Sequence, residues 1–189
     1  MIRTGDILEN PVTGERMHFL KTSADTKGEY VLIELTARPG AVVAAKHLHP
    51  YQTERFEIVS GRLGAKVDGK EIEARPGDSL TVEAGQSHVW WNAGDDELVF
   101  RAEVRPALRF EQLIETMFGL AADGKTNKKG MPNPLRLAVI AKEHFDDVRL
   151  PFPPVWMQRI GLAMGAPVGR ALGFAATYEP AGEAAPDAA

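Results

Sequence analysis

Three histidines and one glutamate carry the chemistry this sequence is equipped for. His47 and His49 stand two apart in His47-Leu48-His49, Glu54 follows after four residues, and His88 lies far along the chain. In a strand, residues two apart share a face, so the His47 and His49 imidazoles are expected to point one way. The next run puts Glu54, Phe56 and Ile58 on one face by the same alternation. Three imidazoles and one carboxylate suit one divalent transition metal (Fe, Mn, Ni, Cu or Zn) rather than Ca or Mg, with positions left for substrate oxygen or dioxygen. Histidine must be neutral to ligate, so affinity should fall as pH drops below about 6.5. Glu54 has a second, catalytic task open to it. Released from the metal, its carboxylate can accept the proton of a substrate hydroxyl.

Only a closed sheet brings His88 to the other three, and the surrounding sequence has the marks of one. Short β-rich runs occur at 17–20, 30–36, 53–60, 62–67, 78–83, 88–92 and 97–104. Turn residues separate them: Gly40, Gly61, Asp68-Gly69, Pro76-Gly77, Gly85 and Asn92-Ala93-Gly94. Strands this short, with turn signals this frequent, argue for a sandwich or barrel. Val67-Asp68-Gly69-Lys70 reads as a tight hairpin, because Asp-Gly suits the primed turns that match strand twist. Alternation from His88 puts Trp90 on the ligand face and Trp91 on the other. Phe56, Ile58 and Trp90 are therefore candidates to line a substrate pocket, with Tyr51 at its mouth as a hydrogen-bond donor.

Near Pro106 the period changes. Phe110, Leu113, Ile114, Met117 and Phe118 fall on one helical stripe, with Gly119 and Gly124 as candidate stops. The span 124–134 is polar and rich in breakers, so it reads as a loop. A second helix is expected after Asn133, with Pro134 at its first position and Leu135, Ala138 and Val139 facing inward. A third follows Pro153-Pro154 and carries Trp156, Ile160, Ala163 and Met164. Gly161, Gly165, Gly169 and Gly173 recur at every fourth position, which favours close packing on the barrel or on another subunit. The division is thus 1–106 as a β-barrel with N-terminal strands, 107–178 as a helical extension and 179–189 as a disordered tail. His18 and His144 fit no motif and are expected at the surface or in a hydrogen-bonded role.

Composition removes other classes. The 189 residues carry 22 basic and 26 acidic side chains for a net charge of -4, so no basic field exists to hold nucleic acid or an anionic membrane. Cysteine is absent, which excludes disulfides, thiolate metal sites, iron–sulfur clusters and cysteine nucleophiles. The opening MIRTGDILENP has no apolar run of the kind a signal peptide needs, and a cytoplasmic location is the expectation. The glycine-spaced segment is interrupted by Gln158, Arg159, Pro167 and Arg170, so a membrane partner is not expected.

At the ligand residues the sequence resembles the cupin superfamily. Gly40, His47, His49, Glu54 and Gly61 match its first motif, with a gap from Gly40 to His47 one residue longer than usual. Gly77, Gly85, His88 and Asn92 match the second, with Glu83 where proline is usual. The resemblance covers about residues 30–105 and implies a mainly β fold, the double-stranded β-helix or jelly-roll barrel, here with a C-terminal α-helical extension. It also implies that His47, His49, Glu54 and His88 hold the metal, and that flavonol-cleaving dioxygenases are the nearest functional analogy.

Three functions compete on these grounds. The first is a metal-dependent, dioxygenase-like oxidoreductase acting on a small enolisable or phenolic substrate. The second is a non-redox metal-dependent isomerase or cyclase, which would want a further acid or base in the pocket; Lys46, between two ligand-face positions, should point away. The third is a small-ligand-binding or sensory cupin without catalysis. The family resemblance further suggests a homodimer, with residues 1–16 and the helix from Phe110 as interface pieces.

Overall fold

The computed structural model describes residues 2–43 and 45–178. The segment 179–189, expected from sequence as a tail, lies outside them. Among the described residues, nine strands form two antiparallel sheets that close on a shared core. β1 (Ile7–Asn10), β2 (Glu15–Lys21), β3 (Val31–Ala37), β4 (Thr53–Ser60), β7 (Ser79–Val82) and β9 (Leu98–Arg105) make one sheet in the order β1-β2-β3-β9-β4-β7. β5 (Leu63–Val67), β6 (Lys70–Ala74) and β8 (His88–Asn92) make the other, in the order β6-β5-β8. The jelly-roll barrel expected from the motifs is the architecture found. β1 falls among the N-terminal strands expected over 1–106 and β6 on the far side of the Asp-Gly hairpin, but neither has an apolar run of its own. Their residues, ILEN and KEIEA, are too polar to announce a strand and hold their place by pairing with β2 and β5.

Alternation sets which side chains enter the barrel. β3 buries every second residue, and β4 buries Glu54, Phe56 and Ile58 while Arg55, Glu57 and Val59 face out. β8 buries His88, Trp90 and Asn92. The core is aromatic where the sheets meet. Phe56 and Trp90 each pack edge-to-face on Phe100, with centroids 5.3 and 5.2 Å apart. The Asp-Gly hairpin forms as read between β5 and β6, with Asp68 at φ 46° and Gly69 at φ 85°. Gly61 is required twice over. Its φ is 79°, and a Cβ there would lie 2.6 Å from the Glu97 carbonyl oxygen.

Three helices follow: α1 (Phe110–Ala122), α2 (Pro134–Glu143) and α3 (Val155–Ala171). Gly119 sits inside α1 rather than ending it, and the chain turns at Gly124, where φ is 66°. Asn133 caps α2 by accepting from the Leu135 N–H, with Pro134 at the first position as read. α1 buries Phe110 and Phe118 against the barrel core. α3 uses Gly165 and Gly169 against α2, not the barrel wall. A Cβ at Gly169 would lie 2.5 Å from the Leu135 carbonyl oxygen, and one at Gly165 would lie 3.2 Å from Ala138 Cβ. Because α3 docks through its small residues, Trp156, Ile160, Ala163 and Met164 are left exposed. Within the chain, β1 pairs with β2 at the edge of its sheet, and α1 packs on the core. No helix among the described residues is long and apolar enough to cross a membrane.

Candidate metal centre

His47, His49, Glu54 and His88 converge, each offering one ligand atom, and these atoms lie within 4.8 Å of one another. Three pieces of chain bring them together. The residues around His47 run alongside β8, and His47 and His88 exchange backbone hydrogen bonds of 3.0 and 2.7 Å as direct cross-strand partners. Glu54 enters from β4, the inward position next before Phe56. The His47–His49 segment is extended but too irregular to be a full strand; isolated bridges to His88 and, from Leu48, to Arg149 hold it.

Each imidazole is pinned from behind. His47 Nδ1 lies 2.8 Å from the Ala45 carbonyl, His49 Nδ1 2.7 Å from the Asp147 carbonyl, and His88 Nδ1 3.3 Å from the Gln86 carbonyl. A carbonyl only accepts, so each Nδ1 carries the hydrogen and each Nε2 is left with a lone pair. Metal-binding histidines are oriented by such outer contacts. Glu54 Oε1 lies 3.6 Å from His49 Nε2, and Oε2 lies 2.8 Å from His88 Nε2. With its hydrogen on Nδ1, the neutral His88 ring has none to give Oε2, which is buried and has no hydrogen-bond partner. An orphaned carboxylate oxygen facing three imidazole lone pairs is the donor set of a divalent transition metal, and the residues fit one.

The electrostatics agree. Burial by itself would raise the Glu54 carboxyl, but the neighbouring His49 and His88 hold it down at about 2, so it is an anion at neutral pH. Burial, with the charges of His49 and His88, lowers His47 to about 3 and keeps it neutral. Burial would also lower His88, but the Glu54 carboxylate outweighs it and raises that residue. His88 is thus the ligand at which an arriving cation competes with a proton.

The centre opens into a cavity of about 530 Å³. Phe56, Trp90 and Phe100 line it; Ile58 is buried in the core outside the lining, and Tyr51 is 61% exposed. β4 carries Ile58 one pleat too far from the ligand end, and Tyr51 lies in the solvent-facing turn before β4. Asn92, read as a turn residue, is buried at the end of β8. It donates to the Ala37 and Asp96 carbonyls at 3.0 and 2.8 Å and accepts from the Gly94 N–H.

Four residues of this site were not singled out from sequence. Gln52 donates to the Pro106 and Ala107 carbonyls at 3.0 and 3.1 Å, with its oxygen 3.1 Å from His49 Nδ1. Glu15, buried on the cavity wall, has its carboxyl pushed up to about 7 by burial, against a 2.5 Å hydrogen bond from Thr13. Asp147, in the turn after α2, reaches His49 through its carbonyl. Burial would raise its carboxyl, but His144 and Arg109 hold it low. Asn10 also lines the cavity. Nothing in their local sequence marks them, because each acts across the fold.

Comparison with known proteins bears on the same stretch. Residues 33–103 match the cupin domain family. Quercetin 2,3-dioxygenase of Bacillus subtilis (strain 168) is 31% identical over 78 residues, 41% of this chain and 23% of that protein. The oxidoreductase iacF of Pestalotiopsis fici is 29% identical over 132 residues, 64% of each chain. The match thus spans less than two thirds of the length of either relative. Among solved structures, an RmlC-like cupin from Shewanella frigidimarina superposes with a TM-score of 0.49 at 19% identity, over 57% of this chain and 88% of that one. From the sequence match over residues 33–103 and the closed pair of antiparallel sheets in which it lies, the barrel of this chain is a cupin domain.

Proposed function

We propose that this protein is a metal-dependent oxygenase acting on a small enolisable or phenolic substrate. The observation that carries the reading is the set of three histidines, each pinned at Nδ1, and Glu54, all facing a largely apolar cavity. The oxidoreductase and dioxygenase names of its relatives support it. A divalent redox metal held by His47, His49, Glu54 and His88 would supply Lewis acidity and access to dioxygen. The chain's own residues do the rest. Glu54, held ionised, is an acceptor at the substrate's acidic hydrogen. Phe56, Trp90 and Phe100 from the barrel, with Leu113, Ile114 and Met117 from α1, keep the site dry. An aromatic or enol body fits such walls, whereas a sugar phosphate would want inward cations.

Metal analysis followed by oxygen consumption against phenols and diketones tests the reading. The expected result is one transition metal per chain and oxygen uptake with at least one compound. Glu54→Ala and His88→Ala should each weaken metal binding by at least about 100-fold, since both remove a ligand rather than its support. Variants that retain metal as the parent does would sink the assignment.

A second reading, a non-redox isomerase or cyclase, is favoured by Glu15. Its carboxyl, raised to about 7, is a second acid–base group on the same wall. Turnover without oxygen that Glu15→Gln abolishes would select it.

A further inference from the structure

The helical extension contributes a buried histidine to the cavity that holds the metal ligands. His144, just past the end of α2, is fully buried and lines that cavity with His47, His49, Glu54 and His88. Its Nδ1 lies 2.8 Å from Asp147 Oδ2. The carboxylate accepts, so in the neutral ring Nδ1 carries the hydrogen and Nε2 keeps a bare lone pair. That Nε2 is buried and has no hydrogen-bond partner. Arg109 clamps the arrangement from the other side, its Nε 3.0 Å from the same Asp147 oxygen and its Nη1 3.1 Å from Glu143. The Asp147 carbonyl meanwhile accepts from His49 Nδ1. One residue of the extension therefore orients both a metal ligand and His144.

Buried polar atoms are nearly always paired, so an orphan on a cavity wall marks a place for a ligand atom. Among the described residues, the cavity wall holds two such side-chain atoms, Glu54 Oε2 and His144 Nε2. Both are acceptors. The other polar side chains there are engaged. Asn10 accepts from Val12 and Thr13, Glu15 is bonded to Thr13, Gln158 donates to the Leu150 and Pro153 carbonyls, and Arg149 stacks on Phe145. Glu54 belongs to the metal-binding set, so His144 Nε2 is the unpartnered acceptor that lies outside it.

We propose that His144 Nε2 accepts the hydrogen bond of a substrate hydroxyl, and so selects hydroxyl-bearing aromatic or enolic molecules over their ethers. Asp147 and Arg109 position it. The inference rests on the phenolic reading above and extends it to a residue outside the metal ligands. A site built to receive a hydroxyl rejects the analogue that lacks one, because its own polar atom is then left unpaired.

The test uses zinc-loaded full-length protein, which cannot turn over by redox chemistry. Affinities for 2-naphthol and 2-methoxynaphthalene are measured by calorimetry on the parent and on His144→Asn. Asparagine can keep a donor to Asp147 while removing the acceptor at Nε2. The expected result is that the parent's preference for 2-naphthol falls by about tenfold in the variant, the worth of one buried neutral hydrogen bond, with zinc stoichiometry unchanged. His144→Gln, which can return an oxygen near the Nε2 position, should restore part of it. A merely structural role would weaken both compounds alike. As a measurement on the parent alone, the ¹⁵N resonance of His144 Nε2 should move on adding 2-naphthol and stay put with the ether. An unchanged preference in His144→Asn, or a resonance indifferent to the hydroxyl, overturns the role of His144 and leaves the phenolic reading standing. Failure of the parent to bind either compound overturns both.

Discussion

The barrel wall of the cavity and its helical cover hold their side chains by different means. On the barrel side, each residue is set by ladder pairing and by alternation. Glu54 faces inward because β4 is in register with β9 and β7 on either side, so a slip of one residue would turn it out along with Phe56. On the helical side the holding comes from helix-on-helix packing and a few ties between segments distant along the chain. α3 rests on α2 through Gly165, Ala166 and Gly169, and the segment after α2 is tied down by the Arg109–Asp147–His144 cluster and the Leu48–Arg149 bridge. The wall is over-determined and the cover is clipped on. Ligands that must not move are on the first, whereas a surface suited to admitting a molecule is on the second.

Substitutions can break or sharpen that contrast. The largest loss is expected for Phe100→Ala, which empties the meeting point of Phe56 and Trp90; about 3–5 kcal/mol should appear in denaturant unfolding. Next is Glu15→Gln, whose effect depends on pH. Below about pH 4.5 the Glu15 carboxyl is protonated folded and unfolded alike. As pH rises, the unfolded chain releases the proton first, so the parent loses stability until about pH 7 is passed. The full difference is about 3 kcal/mol, and the variant should gain on the parent by roughly that much between pH 4 and pH 8. Chemical denaturation at both pH values checks it; a constant gap would mean Glu15 is not desolvated.

Smaller effects are expected in the cover. Gly169→Ala forces a methyl against the Leu135 carbonyl and should cost about 1–3 kcal/mol, with faster proteolysis between α2 and α3 while metal content holds. Smallest is Met164→Lys on the exposed face of α3, which should lie within about 0.5 kcal/mol in a thermal melt. If instead it destabilised the protein strongly, that face would be covered in solution.

The metal ligands could be read from sequence because each sits in a short stretch whose conformation is local: a His-x-His two apart, an inward position on an alternating strand, a histidine opening another. The Asp68-Gly69 hairpin and the Asn133-Pro134 helix start were legible for the same reason, since cap and turn chemistry involve only neighbours. The bounds of strands β1 and β6 were not, because their polar residues gain stability from partners rather than from pattern. Ile58 was placed on the pocket wall by alternation from Glu54, and Tyr51 at the pocket's mouth from the bend before β4. Local pattern says nothing about which side of a turn faces solvent or how deep a pleat lies.

The sequence by itself determined the alternation that turns Glu54, His88 and Trp90 inward, the site of each turn and the types of ligand available. Those are properties of a few consecutive residues. Tertiary structure alone decided that His47 would pair with His88, that α3 would dock on α2 with its large apolar residues outward, and that Asp147 would join His49 to His144 across 98 positions of chain. Such contacts arise when distant segments compete to bury the same surface, and the winner depends on the shape of the whole molecule.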